Sequence, residues 1–132
     1  MKFWKIALST IFAITLFGCA GKYQAPQEFN TTVTDVSKAQ VKSAILASGT
    51  TGKSTFGTWR MKDVNDNTIQ ATLFNRGYEI VVNIPYSAKG YSIKYVSASD
   101  NLKDKNGNVH RNYNRWVNNL NTKIKQNIFM SN

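Results

Sequence analysis

Between residues 56 and 97, apolar side chains recur at every second position, broken only by short turns, and this pattern favours an antiparallel meander over parallel crossovers. Trp59 and Met61 alternate with Arg60 and Lys62, and Asn65-Asp66-Asn67 supplies a turn. Ile69, Ala71 and Leu73 alternate with Thr68, Gln70 and Thr72 before Asn75-Arg76-Gly77 turns again. The next run, 78–86, carries Tyr78, Ile80, Val82 and Ile84 on one face, and Pro85 is expected to end it because proline cannot donate to a ladder. Residues 87–90 reverse the chain, after which Tyr91, Ile93 and Tyr95 alternate with Ser92 and Lys94. One face of the sheet is therefore apolar and aromatic. It needs a cover.

Two segments with helical period can supply that cover. In 35–48, Val41, Ala44, Ile45 and Ser48 form a stripe that Val36 and Ala39 extend, with Thr34 or Asp35 as cap and Gly49 as stop. Near the C-terminal end, Tyr113, Trp116, Val117, Leu120, Ile124 and Ile128 follow the same spacing, with Asn112, Arg115, Asn118, Asn119, Lys123 and Lys125 on the other side. An N-terminal and a C-terminal helix over one face of a three- to four-stranded antiparallel meander make an α+β fold. Trp116 is assigned to the core. The run Gly49-Thr50-Thr51-Gly52-Lys53-Ser54-Thr55 is not a phosphate loop. It has two residues where that loop needs four, and it follows a helix instead of a strand. It is read as a flexible polar turn.

At the start of the chain, Lys2 and Lys5 precede an apolar segment, 6–17, that Ser9, Thr10 and Thr15 soften. Twelve residues in helix span about 18 Å, well short of a hydrocarbon core of about 30 Å. A processed signal fits better than a membrane span. Leu16-Phe17-Gly18-Cys19 closes the segment, and Cys19 is the only cysteine. This arrangement resembles the signal and lipobox of bacterial lipoproteins; the alternative is an ordinary secretory signal with an incidental cysteine. The resemblance implies cleavage before Cys19, then a diacylglycerol on its sulfur and an amide-linked acyl chain such as palmitate. Ala20, in place of the Asp that retains lipoproteins at the inner membrane, implies the outer membrane facing the periplasm, or the cell-membrane exterior if the host has no outer membrane. A second resemblance covers the C-terminal third. Tyr91-Ser92-Ile93-Lys94-Tyr95, Asn101-Leu102, His110, Tyr113-Asn114, Trp116-Val117 and Leu120 look like a pattern in small bacterial lipoproteins of uncharacterised function. It implies a small mixed domain in the cell envelope and carries no catalytic residues.

The expected organisation is a signal peptide at 1–18, a lipidated cysteine and flexible tether at 19–33, and one domain at 34–132. Within 20–33, Gly21, Gln24, Pro26, Gln27, Asn30, Thr31 and Thr32 outnumber apolar residues, although Tyr23 and Phe29 could pack back on the domain. A flexible stretch of that length averages about 20 Å end to end. Cleavage leaves 114 residues, enough to bury about two-thirds of the unfolded surface, with no second cysteine for a disulfide.

Charge is the remaining clue. Of 17 basic residues, only Lys2 and Lys5 leave with the signal, so 15 face 7 acids, a formal +8. Lys89, Lys94, Lys103, Lys105, Arg111 and Arg115 form a candidate basic surface, with Tyr86, Tyr91 and Tyr95 among them. An exported protein seldom meets nucleic acid, so the partners in view are anionic lipid, lipopolysaccharide, cell-wall polymer or an acidic envelope protein. Solvated lysines without a partner are the plainer explanation.

Catalytic patterns are sparse. His110 is the sole histidine, which excludes a multi-histidine zinc site, and no Gly-x-Ser-x-Gly elbow occurs. Asp63, Asp66, Asp100 and Asp104 stand in turn-like surroundings, and Glu79 falls on the polar strand face. No cofactor or metal is expected. His110 is either a helix-start residue or part of a polar pocket with Tyr95, Asn101 and Asn114. The expected function is a membrane-anchored, non-catalytic binding or scaffolding module. The rival is a small envelope hydrolase or transferase using His110 and a nearby acid.

Overall fold

The computed structural model describes residues 21–50 and 57–131. Cys19, the signal segment and most of the Gly49–Thr55 run lie outside the described residues. The order is β1 (Tyr23–Gln24), β2 (Phe29–Thr32), α1 (Lys38–Leu46), β3 (Trp59–Asn65), β4 (Thr68–Asn75), β5 (Tyr78–Ser87), β6 (Gly90–Ala98), a 3-10 turn (Asp100–Leu102), β7 (Val109–His110) and α2 (Arg111–Met130).

Two-residue turns fix the register of the meander. Asn75 pairs with Tyr78, leaving Arg76 and Gly77 as the turn, with φ of 55° and 83°. Positive φ at both positions defines the turn whose twist matches that of the strands it joins, and Gly77 occupies it without steric cost. From there Leu73 pairs with Ile80, Ala71 with Val82 and Ile69 with Ile84, while β3 sets Trp59 beside Leu73 and Met61 beside Ala71. Every one of these side chains is buried. Each fully buried Ile, Val or Leu contributes about 1.5–3 kcal/mol. Both helices share this core through Val41, Ala44 and Ile45 of α1 and Tyr113, Val117, Leu120, Ile124 and Ile128 of α2. The α+β class and the two covering helices are as expected.

The sheet has five strands, ordered β2-β6-β5-β4-β3, instead of three or four. The fifth, β2, comes from the segment expected to be tether. It sets Phe29 opposite Ile93 and Thr31 opposite Tyr91, and Ser92 Oγ donates to Asn30 Oδ1 at 2.6 Å. Where β2 meets β6, a Cβ on Gly90 would stand 2.0 Å from the Thr31 carbonyl oxygen, and Gly90 has φ of 148°. Only glycine lets the strands approach so closely. The tether expectation fails again at β1, which pairs Tyr23 with His110 and Gln24 with Val109 in a separate two-stranded ladder.

Local corrections have local causes. Helix α1 starts later than expected, because Asp35 has φ of 61° and cannot begin a helix. Ser37 is the cap instead. Its Oγ accepts from Gln40 N at 3.1 Å, while the Gln40 side chain accepts from Ser37 N at 2.8 Å. The helix stops at Leu46, with Ala47 as its C-cap, before Gly49 is reached. Pro85 does not end β5, which runs on to Ser87. Pro85 pairs with Thr68 on the β4 side, whereas the pairs to β6 pass from Asn83–Lys94 to Tyr86–Tyr91. The missing N–H therefore falls where the β6 ladder is interrupted. Finally, the β5–β6 register shifts between Val81 and Val82, leaving Val96 as an extra, exposed residue. This bulge explains how Ala98 turns inward although the buried positions before it were Tyr91 and Ile93.

Candidate functional site

The sequence candidates converge on the corner where β1, β7 and the first turn of α2 meet. His110 has extended backbone angles and caps α2, its Nδ1 accepting from Asn112 N at 3.0 Å. An accepting Nδ1 requires a neutral ring protonated on Nε2. Its pKa is pushed below the ordinary histidine value, by burial first and then by Arg111, Lys22 and Arg115. The ring meets Tyr23 edge-on, with centroids 5.8 Å apart.

One turn further on, Asn114 is only 6% exposed. Its Oδ1 accepts from Gln27 N at 2.8 Å, and its Nδ2 donates to Gln24 Oε1 at 3.2 Å and to Ala25 O at 3.1 Å. The amide expected to line a pocket is thus consumed by the chain's own leading segment. Tyr95, the pocket's third candidate, packs edge-on against Tyr113 at 5.5 Å. Tyr113 is fully buried and its hydroxyl has no hydrogen-bond partner among the described residues. Burial raises its pKa, with Tyr95 and Glu28 adding to the effect. Asn101 is exposed on the 3-10 turn, whose buried side chain is Leu102. The structure therefore gathers His110, Asn114 and, through Tyr113, Tyr95. Each has a structural task there.

The six expected cations do not form one surface. Lys89 lies in the β5–β6 turn, and Lys94 lies five residues along β6, roughly 17 Å away. Lys94 belongs to the uncovered sheet face, in a row with Lys62, Gln70 and Asn83 across four strands. Lys103 pairs with Asp100 at 3.6 Å. Lys105 sits in a turn that Asp104 closes, its Oδ1 accepting from Asn106 N and Asn108 N at 2.8 and 3.0 Å.

Arg111 and Arg115 gather instead with Lys22, a residue of the segment expected to be tether. Arg111 N donates to Lys22 O at 2.7 Å, immediately beyond the Tyr23–His110 pair that ends the β1–β7 ladder. Arg115 donates to Asn112 Oδ1 at 3.0 Å. Among the described residues none of the three forms an ion pair, and the first turn of α2 holds no acid. Two-residue strands have no detectable period; the available signal was a lysine three places after Cys19.

This corner concentrates positive charge. The ring nitrogen of His110 that faces the protein is already engaged, and cations surround it. Among the described residues no group of three His, Cys, Asp or Glu side chains is placed to hold a metal ion. A separate groove of about 640 Å³ between α1 and the β3–β4 turn is lined by Lys38, Lys42, Asp63 and Tyr86. Lys42 and Asp63 pair there at 3.4 Å, and none of the expected site residues takes part.

Compared with known proteins, the chain matches no family model, and neither a curated protein nor a solved structure is significantly similar to it. No helix among the described residues is long and apolar enough to cross a membrane.

Proposed function

We propose that the chain is a lipid-anchored protein of the bacterial cell envelope whose folded part is a non-catalytic binding or scaffolding module for an anionic component. The observation that carries this reading is the set of three cations, Lys22, Arg111 and Arg115, gathered around His110 at one corner of the fold and forming no ion pair among the described residues. The first of them lies three residues after the cysteine of a lipobox-like sequence. Anchoring at the outer membrane, facing the periplasm, accords with Ala20 after that cysteine.

The hydrolase or transferase alternative draws no support from the geometry. A histidine base works with one nitrogen oriented by a partner and the other aimed at a reacting group. Here Nδ1 serves a helix cap, and the groups that most influence the ring are burial and three cations, not a carboxylate.

Intact mass measured on protein from a native-type host tests the anchor. The expected result is a chain beginning at Cys19 and carrying acyl groups, with Cys19→Ser moving the protein from the membrane to the soluble fraction. An unmodified sulfur, or a retained signal segment, overturns the reading. Attachment to envelope polymers that ignores ionic strength overturns its electrostatic half.

A further inference from the structure

We propose that the folded part does not stand off from the membrane but rests on the bilayer that holds its anchor, with Lys22, Arg111 and Arg115 against anionic phospholipid headgroups. This inference deepens the lipid-anchor reading and rests on it.

Covalent reach is the first argument. Three residue steps separate Cys19 from Lys22, at most about 11 Å of fully extended chain. The fold takes hold of the chain immediately after that. Lys22 O accepts from Arg111, Tyr23 pairs with His110, and Asn114 binds residues 24, 25 and 27 through three hydrogen bonds. An acylated Cys19 would therefore hold Lys22, and with it the start of α2, within about 11 Å of the headgroups, comparable to the Debye length of about 8–10 Å at 0.1–0.15 M salt. A free tether of about 20 Å, the alternative, would have to include segments that are paired strands.

Charge is the second argument, and it is independent of reach. Lys22 and Arg111 meet just beyond the end of the β1–β7 ladder, where Arg111 N donates to Lys22 O at 2.7 Å and both cations act on the His110 ring, so two like charges share one corner. Arg111 opens the positive end of a 20-residue helix, where an acid is the stabilising choice, and Arg115 adds a second cation one turn further on. None of the three forms an ion pair with a carboxylate among the described residues. All of these choices work against stability, and all are relieved by a single external anionic surface. Each basic residue near an anionic bilayer favours contact by about five-fold. Three of them give roughly a hundred-fold preference for the docked orientation.

Hydrogen–deuterium exchange on the natively acylated, full mature chain tests this. The protein is reconstituted in vesicles of phosphatidylcholine alone, and in vesicles of phosphatidylcholine with phosphatidylglycerol at about 7:3. Peptides covering 21–27 and 109–116 are expected to exchange several-fold more slowly with phosphatidylglycerol at low salt, with the protection lost in 0.5 M salt. The combined variant Lys22→Gln, Arg111→Gln and Arg115→Gln is expected to lose it too while melting no lower than the parent. Equal exchange in both vesicles, on protein whose mass confirms the acyl anchor, overturns docking and leaves the anchor standing. An unmodified Cys19 overturns the anchor and docking together. Protection by a dissolved polyphosphate but not by vesicles overturns the bilayer as occupant and assigns the corner to a soluble polyanion.

Discussion

Helix α2 is held in two different ways along its length. From Val117 onward it is held by shape, as Val117, Leu120, Ile124 and Ile128 pack into the core beneath the sheet and against α1. At its start it is held by hydrogen bonds: His110 caps it, Asn114 straps the leading chain, and β1–β7 closes the corner. Two buried asparagines, seven residues apart, mark the change. Asn121 supports the apolar part by accepting from the Tyr91 hydroxyl at 2.6 Å, and burial raises the Tyr91 pKa to about 12. Asn114 touches nothing in the sheet through hydrogen bonds but binds residues 24–27. Apolar packing is strong and non-directional, whereas a hydrogen bond adds little net stability but leaves a costly orphan when one partner is removed. The polar corner can therefore collect like charges that the core could not hold.

If this division is right, truncation in the apolar region should have the largest effect. Ile80 is 0% exposed and packs beneath both helices' core cluster, so Ile80→Ala should cost about 2–5 kcal/mol, read as a lower denaturant midpoint at unchanged slope. A cost under 1 kcal/mol would mean that the core collapses around the gap. Asn114→Ala should cost less, about 1–3 kcal/mol, because it strands Gln27 N and Ala25 O. Its signature is local: amides of 21–32 should lose protection in hydrogen exchange while those of β4 and β5 keep theirs. Uniform loss across the sheet would show that the corner and the core unfold as one unit.

How much of this was legible in the sequence follows from the same division. Alternation over 69–73 and 78–84, and the stripe from Tyr113 to Ile128, state a period that burial then obeys, so the meander and both helices could be read off. The parts that could not be read have no period. β1 has two residues and β2 four, four of the six polar, and their partners are roughly 60 to 90 residues away in the chain. Asn114 sits among helix residues as one more asparagine. What makes it an anchor is its reach to Gln27, across 87 positions. The sequence leaves His110 either at a helix start or in a polar pocket, and its capping role depends on which nitrogen faces Asn112. The basic residues were countable, yet their grouping changed because folding brings Lys22 to Arg111 and sends Lys89 to the far turn.

The cap should have a smaller effect, one that depends on pH. His110→Ala should cost about 1 kcal/mol, whereas His110→Asn, which can also accept from N2, should cost little. Because the folded-state pKa lies below the ordinary value of about 6.5, the unfolded chain binds the proton more readily. The stabilisation is complete above about pH 6.5 and is lost as pH falls from there through the folded-state value. Protonating Nδ1 also turns the cap's acceptor into a donor. Melting temperature of the parent should therefore fall between pH 7.5 and 5.5 by more than that of His110→Asn. Parallel curves for the two proteins would remove the histidine from the account.

The smallest effect should come from the cations, and it discriminates best. Removing Lys22 or Arg111 from a corner that holds three like charges relieves repulsion, so Lys22→Gln and Arg111→Gln should leave the melting temperature unchanged or raise it by about 1–2 °C. The sole histidine gives a more sensitive reading, because its ring protons can be followed through a titration without assignment. After burial, Arg111 lowers its pKa most, then Lys22, then Arg115. The three glutamine variants should accordingly move it upward in that order, each toward but not reaching the ordinary value, since burial remains. Added salt should shrink the differences, because exposed charges are screened. If the three variants left the histidine where it was, the cations would not share its surroundings, and the corner would be a structural strap with lysine and arginine merely nearby.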